Sequence, residues 1–159
     1  MITIVDYGAG NLKSVANMVQ RVGGQSEIVV DPSALSTARL ILLPGVGAFD
    51  HAMRELAAHG WVDALNEAAL ERRIPVVGIC LGMQLLCKGS EEGKLPGLGW
   101  IDGYARRFRV APDSGLKVPH MGWNTVTAAK ENPLVAPTDE EQRFYFVHSY
   151  HVECADPGD

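Results

Sequence analysis

One stretch of the chain concentrates the chemistry. It reads Pro75-Val76-Val77-Gly78-Ile79-Cys80-Leu81-Gly82-Met83-Gln84-Leu85-Leu86. An apolar run ends in Gly-x-Cys-x-Gly and gives way to a helical pattern. A sharp strand-to-helix turn of this kind projects its middle side chain into the open at the carboxyl edge of a sheet. The backbone is crowded there, and Gly78 and Gly82 supply the small flanking residues it needs. A thiol at that turn sits near unpaired N–H groups, which favour its thiolate and make it a nucleophile. The amide of the next residue, Leu81, can face an oxyanion. A tight turn that merely buries Cys80 is the alternative reading.

A second glycine-rich element, Pro44-Gly45-Val46-Gly47, also follows an apolar run. It can lie beside the cysteine turn at the sheet edge where ligands of open α/β sheets bind. Its glycines let backbone N–H groups approach a substrate. An oxyanion hole usually needs two donors, and this loop is the natural source of the second. Gly8-Ala9-Gly10 is weaker: a dinucleotide fingerprint would need glycine at position 13, where Lys13 stands, so a tight turn is expected.

These residues need elements to hold them. Met1–Val5 reads as a strand ending in the Asp6–Gly10 turn. Asn11 can cap a helix that carries Leu12, Val15, Ala16, Val19 and Val22 on one face. Strands are expected at 27–30, 39–43 and 74–79. Leu40-Ile41-Leu42-Leu43 looks buried on both faces, as in a parallel sheet. Helical spacing fills the gaps, and a short helix should run from Cys80 to about Lys88. Beyond Ser90, strand candidates are 100–104, 107–110, 124–127 and 143–147. The order predicts an α/β fold: a mainly parallel open sheet with helices on both faces and right-handed crossovers, plus a β-rich extension on the same sheet.

Composition bounds the function. The chain has 159 residues, 14 Lys+Arg and 19 Asp+Glu, a formal net charge of −5. That length suggests one domain able to bury roughly 70% of its unfolded surface. The acidic balance argues against nucleic acid. No apolar run reaches the roughly 20 residues of a membrane span, and the opening residues 1–11 have neither the basic n-region nor the long apolar h-region of a signal peptide. The odd cysteine count, Cys80, Cys87 and Cys154, suits a reducing cytoplasm. Cys80 and Cys87 are seven apart with no histidine in ligand register, so no metal is expected. No cofactor motif is visible either.

Gly78-Ile79-Cys80-Leu81-Gly82-Met83-Gln84 resembles the nucleophile elbow of class I (triad) glutamine amidotransferases, whose fold is flavodoxin-like. Asp6-Tyr7-Gly8-Ala9-Gly10-Asn11-Leu12, Pro44-Gly45-Val46-Gly47-Ala48-Phe49, Gly97-Leu98-Gly99-Trp100, Pro119-His120-Met121-Gly122-Trp123-Asn124 and Tyr145-Phe146-Val147-His148-Ser149-Tyr150 are similar to one branch of them. That branch is the glutaminase subunits of imidazole glycerol phosphate synthase, in histidine biosynthesis. The resemblance implies that Cys80 attacks the side-chain amide of L-glutamine, forming a thioester and releasing ammonia. It implies Val46 and Leu81 at the oxyanion hole, and Gly47, Gln84, Glu92, Ser149 and Tyr150 around the glutamine. It implies a heterodimer with a (β/α)8 cyclase subunit that receives the ammonia, with Asn11, His120, Met121 and Trp123 toward that partner. Met121 and Trp123 could instead be ordinary core or surface, and Gln84 could be solvated.

The chain departs from the family in one respect. A cysteine nucleophile needs a histidine base oriented by a carboxylate, which the family draws from a His-Pro-Glu stretch near its C-terminus. These 159 residues contain no His-Pro-Glu. The expectation is one amidotransferase domain over residues 1–159 lacking its C-terminal part. A regulatory protein without catalysis, or a different cysteine-elbow hydrolase, are the alternatives. His120, His148 and His151 are weak substitutes for the base.

Overall fold

A computed structural model of the chain describes residues 1–131, 141–156 and 158. Four apolar runs become a parallel sheet in the order β2-β1-β3-β4: β1 Ile2–Val5, β2 Ser26–Val29, β3 Ile41–Gly45 and β4 Val76–Cys80. Alternation along each strand divides the core in two. On one face Ile4 and Leu42 meet Leu12, Val15 and Ala16 of helix α1, Leu12–Arg21. On the other, Val5, Ile41 and Leu43 meet α2 (Phe49–Ala58), α3 (Trp61–Asn66) and α4 (Leu81–Leu85). Trp61, Phe49, Leu56 and Leu65 are fully buried there. Helices cover both faces, so all five residues of β3 are buried, as expected of a parallel strand.

Several boundaries differ from the sequence reading. β3 starts at Ile41 and continues through Pro44 and Gly45, which read as loop. Ile41 N–H donates toward β4, to the Pro75 carbonyl, at 2.9 Å. By alternation Pro44 faces the β1 side, where the β1–β3 ladder stops at Leu42. The N–H that proline lacks is not needed there. α4 ends at Leu85 rather than near Lys88, and Cys87–Ser90 is a strand, β5. The carbonyls that would continue the helix are taken: Leu98 N–H donates to Leu85 O at 2.8 Å, Trp100 N–H to Leu86 O at 2.9 Å and Gly99 N–H to Cys87 O at 3.1 Å.

The β-rich part does not extend the first sheet. β5 joins β6 (Ile101–Arg107) and β9 (Tyr150–Cys154) in a separate three-stranded sheet, and β7 (His120–Val126) pairs antiparallel with β8 (Gln142–His148). The reading found four strand candidates here but could not see their partners. Residues 108–110 are not a strand. The chain divides into two compact units, residues 1–106 with 152–159, and residues 107–151. Among the described residues no helix is long and apolar enough to cross a membrane.

Candidate active site

The sheet order reverses at β1 and β3, and ligand sites of open α/β sheets lie at the carboxyl ends of strands near such a point. Three strand ends meet there: Val5-Asp6-Tyr7, Gly45-Val46-Gly47 and Ile79-Cys80. Gly45 is the register partner of Cys80 across the β3–β4 ladder, so the glycine loop leaves its strand directly beside the thiol.

Cys80 ends β4 and caps α4 with φ +55° and ψ −116°. An L-residue with positive φ is strained, at a cost of about 1–3 kcal/mol, and such residues cluster at functional sites. Cys80 is exposed, whereas Leu81 behind it is only 2% exposed in the core. The buried Leu81 side chain anchors the turn and leaves its N–H at the first helical position, where no intrahelical acceptor exists. Both flanking glycines are required by close approach: a Cβ on Gly82 would collide with the Leu43 carbonyl oxygen, and one on Gly78 would stand 2.6 Å from the Met83 backbone. Val46 and Gly47 are exposed on the facing loop, Gly47 at φ +96°.

Polar side chains link this edge to the segment after β5. The Gln84 carbonyl oxygen accepts from Ser90 Oγ at 3.4 Å, and that oxygen accepts from Glu92 N–H at 3.1 Å. The Glu92 carboxylate then accepts from Phe49 N–H at 3.1 Å, capping α2, whose own cap residue Ala48 has no side chain for the task. Glu92 therefore lies against the helix that follows the Val46–Gly47 loop. Asp50 holds the adjoining turn, accepting from Lys94 N–H at 2.8 Å and Leu95 N–H at 3.0 Å. The Leu95 bond in particular keeps its carboxyl below the usual range.

The sequence reading missed two residues of this region. Ser90 is fully buried and joins Gln84 to Glu92; an ST-turn at Ser90-Glu91-Glu92 was the available signal. Tyr7 is 2% exposed, and its hydroxyl is buried with no hydrogen-bond partner among the described residues. Burial, and then the charge Cys80 carries as a thiolate, push the phenol far above its ordinary range. Cys87 is different: burial, with a smaller contribution from Cys154, pushes its thiol up to about 11. That makes Cys87 a core residue rather than a second nucleophile.

The remaining predicted residues fall on other elements. Asn11 caps α1, its side chain accepting from Ser14 N–H at 3.3 Å. In the second unit, β7 and β8 alternate their side chains. Met121, opposite Val147, and Trp123, opposite Tyr145, share one face and are 60% and 65% exposed. His120 is turned to the other face, stacked on Phe146, with Nδ1 3.0 Å from His148 Nε2. Ser149 offers its carbonyl to Phe108 N–H at 2.9 Å, and the Tyr150 carbonyl lies 2.8 Å from His148 Nδ1. Ser149 and Tyr150 are half-buried. Among the described residues no cluster of three metal-binding side chains occurs.

A strained, exposed cysteine between two obligatory glycines, facing a glycine loop across a parallel ladder, has a counterpart in known proteins. A family model, Glutamine amidotransferase class-I, matches residues 3–158. The chain belongs to that family. Its amidotransferase relatives include the imidazole glycerol phosphate synthase subunit HisH 2 of Pseudomonas aeruginosa, 48% identical over all of this chain and 78% of that protein. HisH 2 of Methanococcus maripaludis is 46% identical over 98% of this chain and 76% of its own length. HisH of Leptospira interrogans is 42% identical over all of this chain and 78% of its own length. In fold, a crystal structure of a glutamine amidotransferase superposes with TM-score 0.72 at 16% identity, covering 99% of this chain and 77% of that one. A putative GMP synthase component from Thermoplasma acidophilum gives TM-score 0.63 at 17% identity, over 95% of this chain and 65% of that one. The strand-to-helix turn at Cys80 thus sits on the fold these structures share.

Proposed function

We propose that this chain is the glutaminase subunit of imidazole glycerol phosphate synthase, hydrolysing L-glutamine and passing ammonia to a (β/α)8 cyclase subunit in histidine biosynthesis. The observation that carries the reading is Cys80 at φ +55° with Gly45 of the glycine loop as its ladder partner. Sγ of Cys80 attacks the side-chain amide carbon, and the carbonyl electron pair moves onto oxygen. The N–H groups of Val46 and Leu81 receive that oxyanion; each such donor is worth about 3 kcal/mol in the transition state. The C–N bond breaks, ammonia leaves with an added proton, and a thioester remains. Water then attacks, the C–S bond breaks, and glutamate and the thiol are released.

Gly47, Gln84 and Glu92 hold the glutamine on the elbow side, with the Glu92 carboxylate suited to its ammonium group. The family resemblance adds Ser149 and Tyr150. The thiol proton goes to a base that the family takes from His-Pro-Glu, a stretch these 159 residues do not contain. The family resemblance puts Asn11, His120, Met121 and Trp123 toward the cyclase partner, while β7 turns His120 to the face opposite Met121 and Trp123. Exposed Met121 and Trp123 support a partner face, because large apolar side chains clustered on a surface mark interaction sites. The HisH names of the relatives support both the cyclase partner and a cytoplasmic location.

The test is glutamate release from glutamine by the protein as its native gene makes it, mixed with a cyclase subunit. Release that falls by at least roughly a thousandfold in Cys80→Ala is expected. A complex that forms but releases no glutamate overturns the catalytic reading and leaves a regulatory subunit.

A further inference from the structure

Tyr7 has no part in the steps above, yet it lies under them. Its hydroxyl oxygen stands 2.5 Å from the point a Cβ on Gly45 would occupy, and Gly82 N and Leu81 Cβ stand 2.9 and 3.0 Å from the same point. The phenol therefore fills the space left by Gly45, on the buried side of the elbow. Gly45 is in turn the register partner of Cys80. Burying a hydroxyl without a partner is destabilising, and phenylalanine would fill the same volume without that penalty. Packing alone does not account for an oxygen at this position.

We propose that Tyr7 is a positioning residue for the nucleophile, its buried O–H stabilising the thiolate form of Cys80 from beneath Gly45 and the first turn of α4. An O–H dipole in a water-poor interior acts more strongly than in solvent. The phenol stays protonated wherever the thiolate exists, because burial and the Cys80 charge both oppose its ionisation. It thus stays a neutral O–H dipole throughout the working range. The inference rests on Cys80 being the nucleophile, but its test does not require glutamine turnover. A failure of the glutaminase reading would therefore leave it standing or falling by itself.

The experiment is alkylation of the 159-residue chain by iodoacetamide. Modification of Cys80 is followed by peptide mass, which separates it from Cys87 and Cys154. In Tyr7→Phe the Cys80 rate is expected to fall by roughly three- to tenfold near neutral pH, where thiolate fraction limits it. The two proteins should react at equal rates at alkaline pH. 3,5-Difluorotyrosine at position 7, a stronger donor of the same shape, should raise the neutral rate. Equal neutral rates in wild type and Tyr7→Phe would overturn the proposal. So would a parallel change at neutral and alkaline pH, the mark of altered access. Should Tyr7→Phe not fold, the fluorinated protein decides by the sign of its change alone.

Discussion

Cys80 illustrates how one residue can be held against its own preference. Its positive φ is tolerated because Gly78 and Gly82 let β4 and α4 meet with no side chain between them. Cys80→Gly should remove the strain. Relief of about 1–3 kcal/mol outweighs the roughly 0.5–1 kcal/mol of extra unfolded-state freedom that glycine brings. A rise in melting temperature of about 2–4 °C is expected for each kcal/mol gained in a chain of this size. An unchanged or lower melting temperature would count against stored strain. The exposed turn at Cys80 was legible from spacing, since Gly-x-Cys-x-Gly follows an apolar run directly and leads into a helical pattern. Tyr7 was not, because nothing in Asp6-Tyr7-Gly8 tells that its ring ends beneath Gly45. Ser90 was hidden likewise: a serine in a turn is ordinary until Gln84 and Glu92 are seen on either side of it.

Among the elements, β4 and α4 form one unit with β3. Helix propensity would favour alanine over glycine at position 82 by about 1 kcal/mol. Packing opposes it, because the new Cβ would run into the Leu43 carbonyl. Overpacking of this kind costs about 1–3 kcal/mol, and here the obstacle is backbone that cannot rotate away. Gly82→Ala is therefore expected to lower the urea midpoint, and Gly78→Ala to do the same against Met83. A neutral Gly82→Ala would mean that β3 and α4 are less tightly docked. Element existence was largely legible from apolar periodicity. The end of α4 was not, because Leu85, Leu86 and Cys87 continue the helical pattern and only the carbonyl-binding segment 98–100 stops it. The alternation of β7 was readable in principle. It separates His120 from Met121 and Trp123, which the resemblance had grouped as one partner face.

For the whole molecule, buried acids set the alkaline limit. The Cys87 thiol ionises near 9.0 in an unfolded chain but holds its proton to about 11 when folded. Its contribution is fully present below pH 9.0. As pH rises further the unfolded state alone sheds the proton, so stability falls until about pH 11. Tyr7 adds a second loss above 10.0 by the same sign. Urea midpoints measured across that range should decline, and Cys87→Ala should flatten the decline between 9.0 and 11. A flat wild-type curve would show that neither group is buried as described. The amino-acid sequence by itself determined the fold class, the parallel character of the first sheet, and the cysteine turn with the glycine loop opposite it. All of these are written in local pattern: apolar period, strand length, and glycines at fixed offsets. Tertiary structure alone decided that the later strands form sheets of their own, and that Ser90 ties Gln84 to Glu92. It also decided that a tyrosine hydroxyl lies buried against Gly45 and the first turn of α4. Each depends on contacts between residues far apart in sequence, and the local pattern of one segment carries no information about which distant segment will meet it.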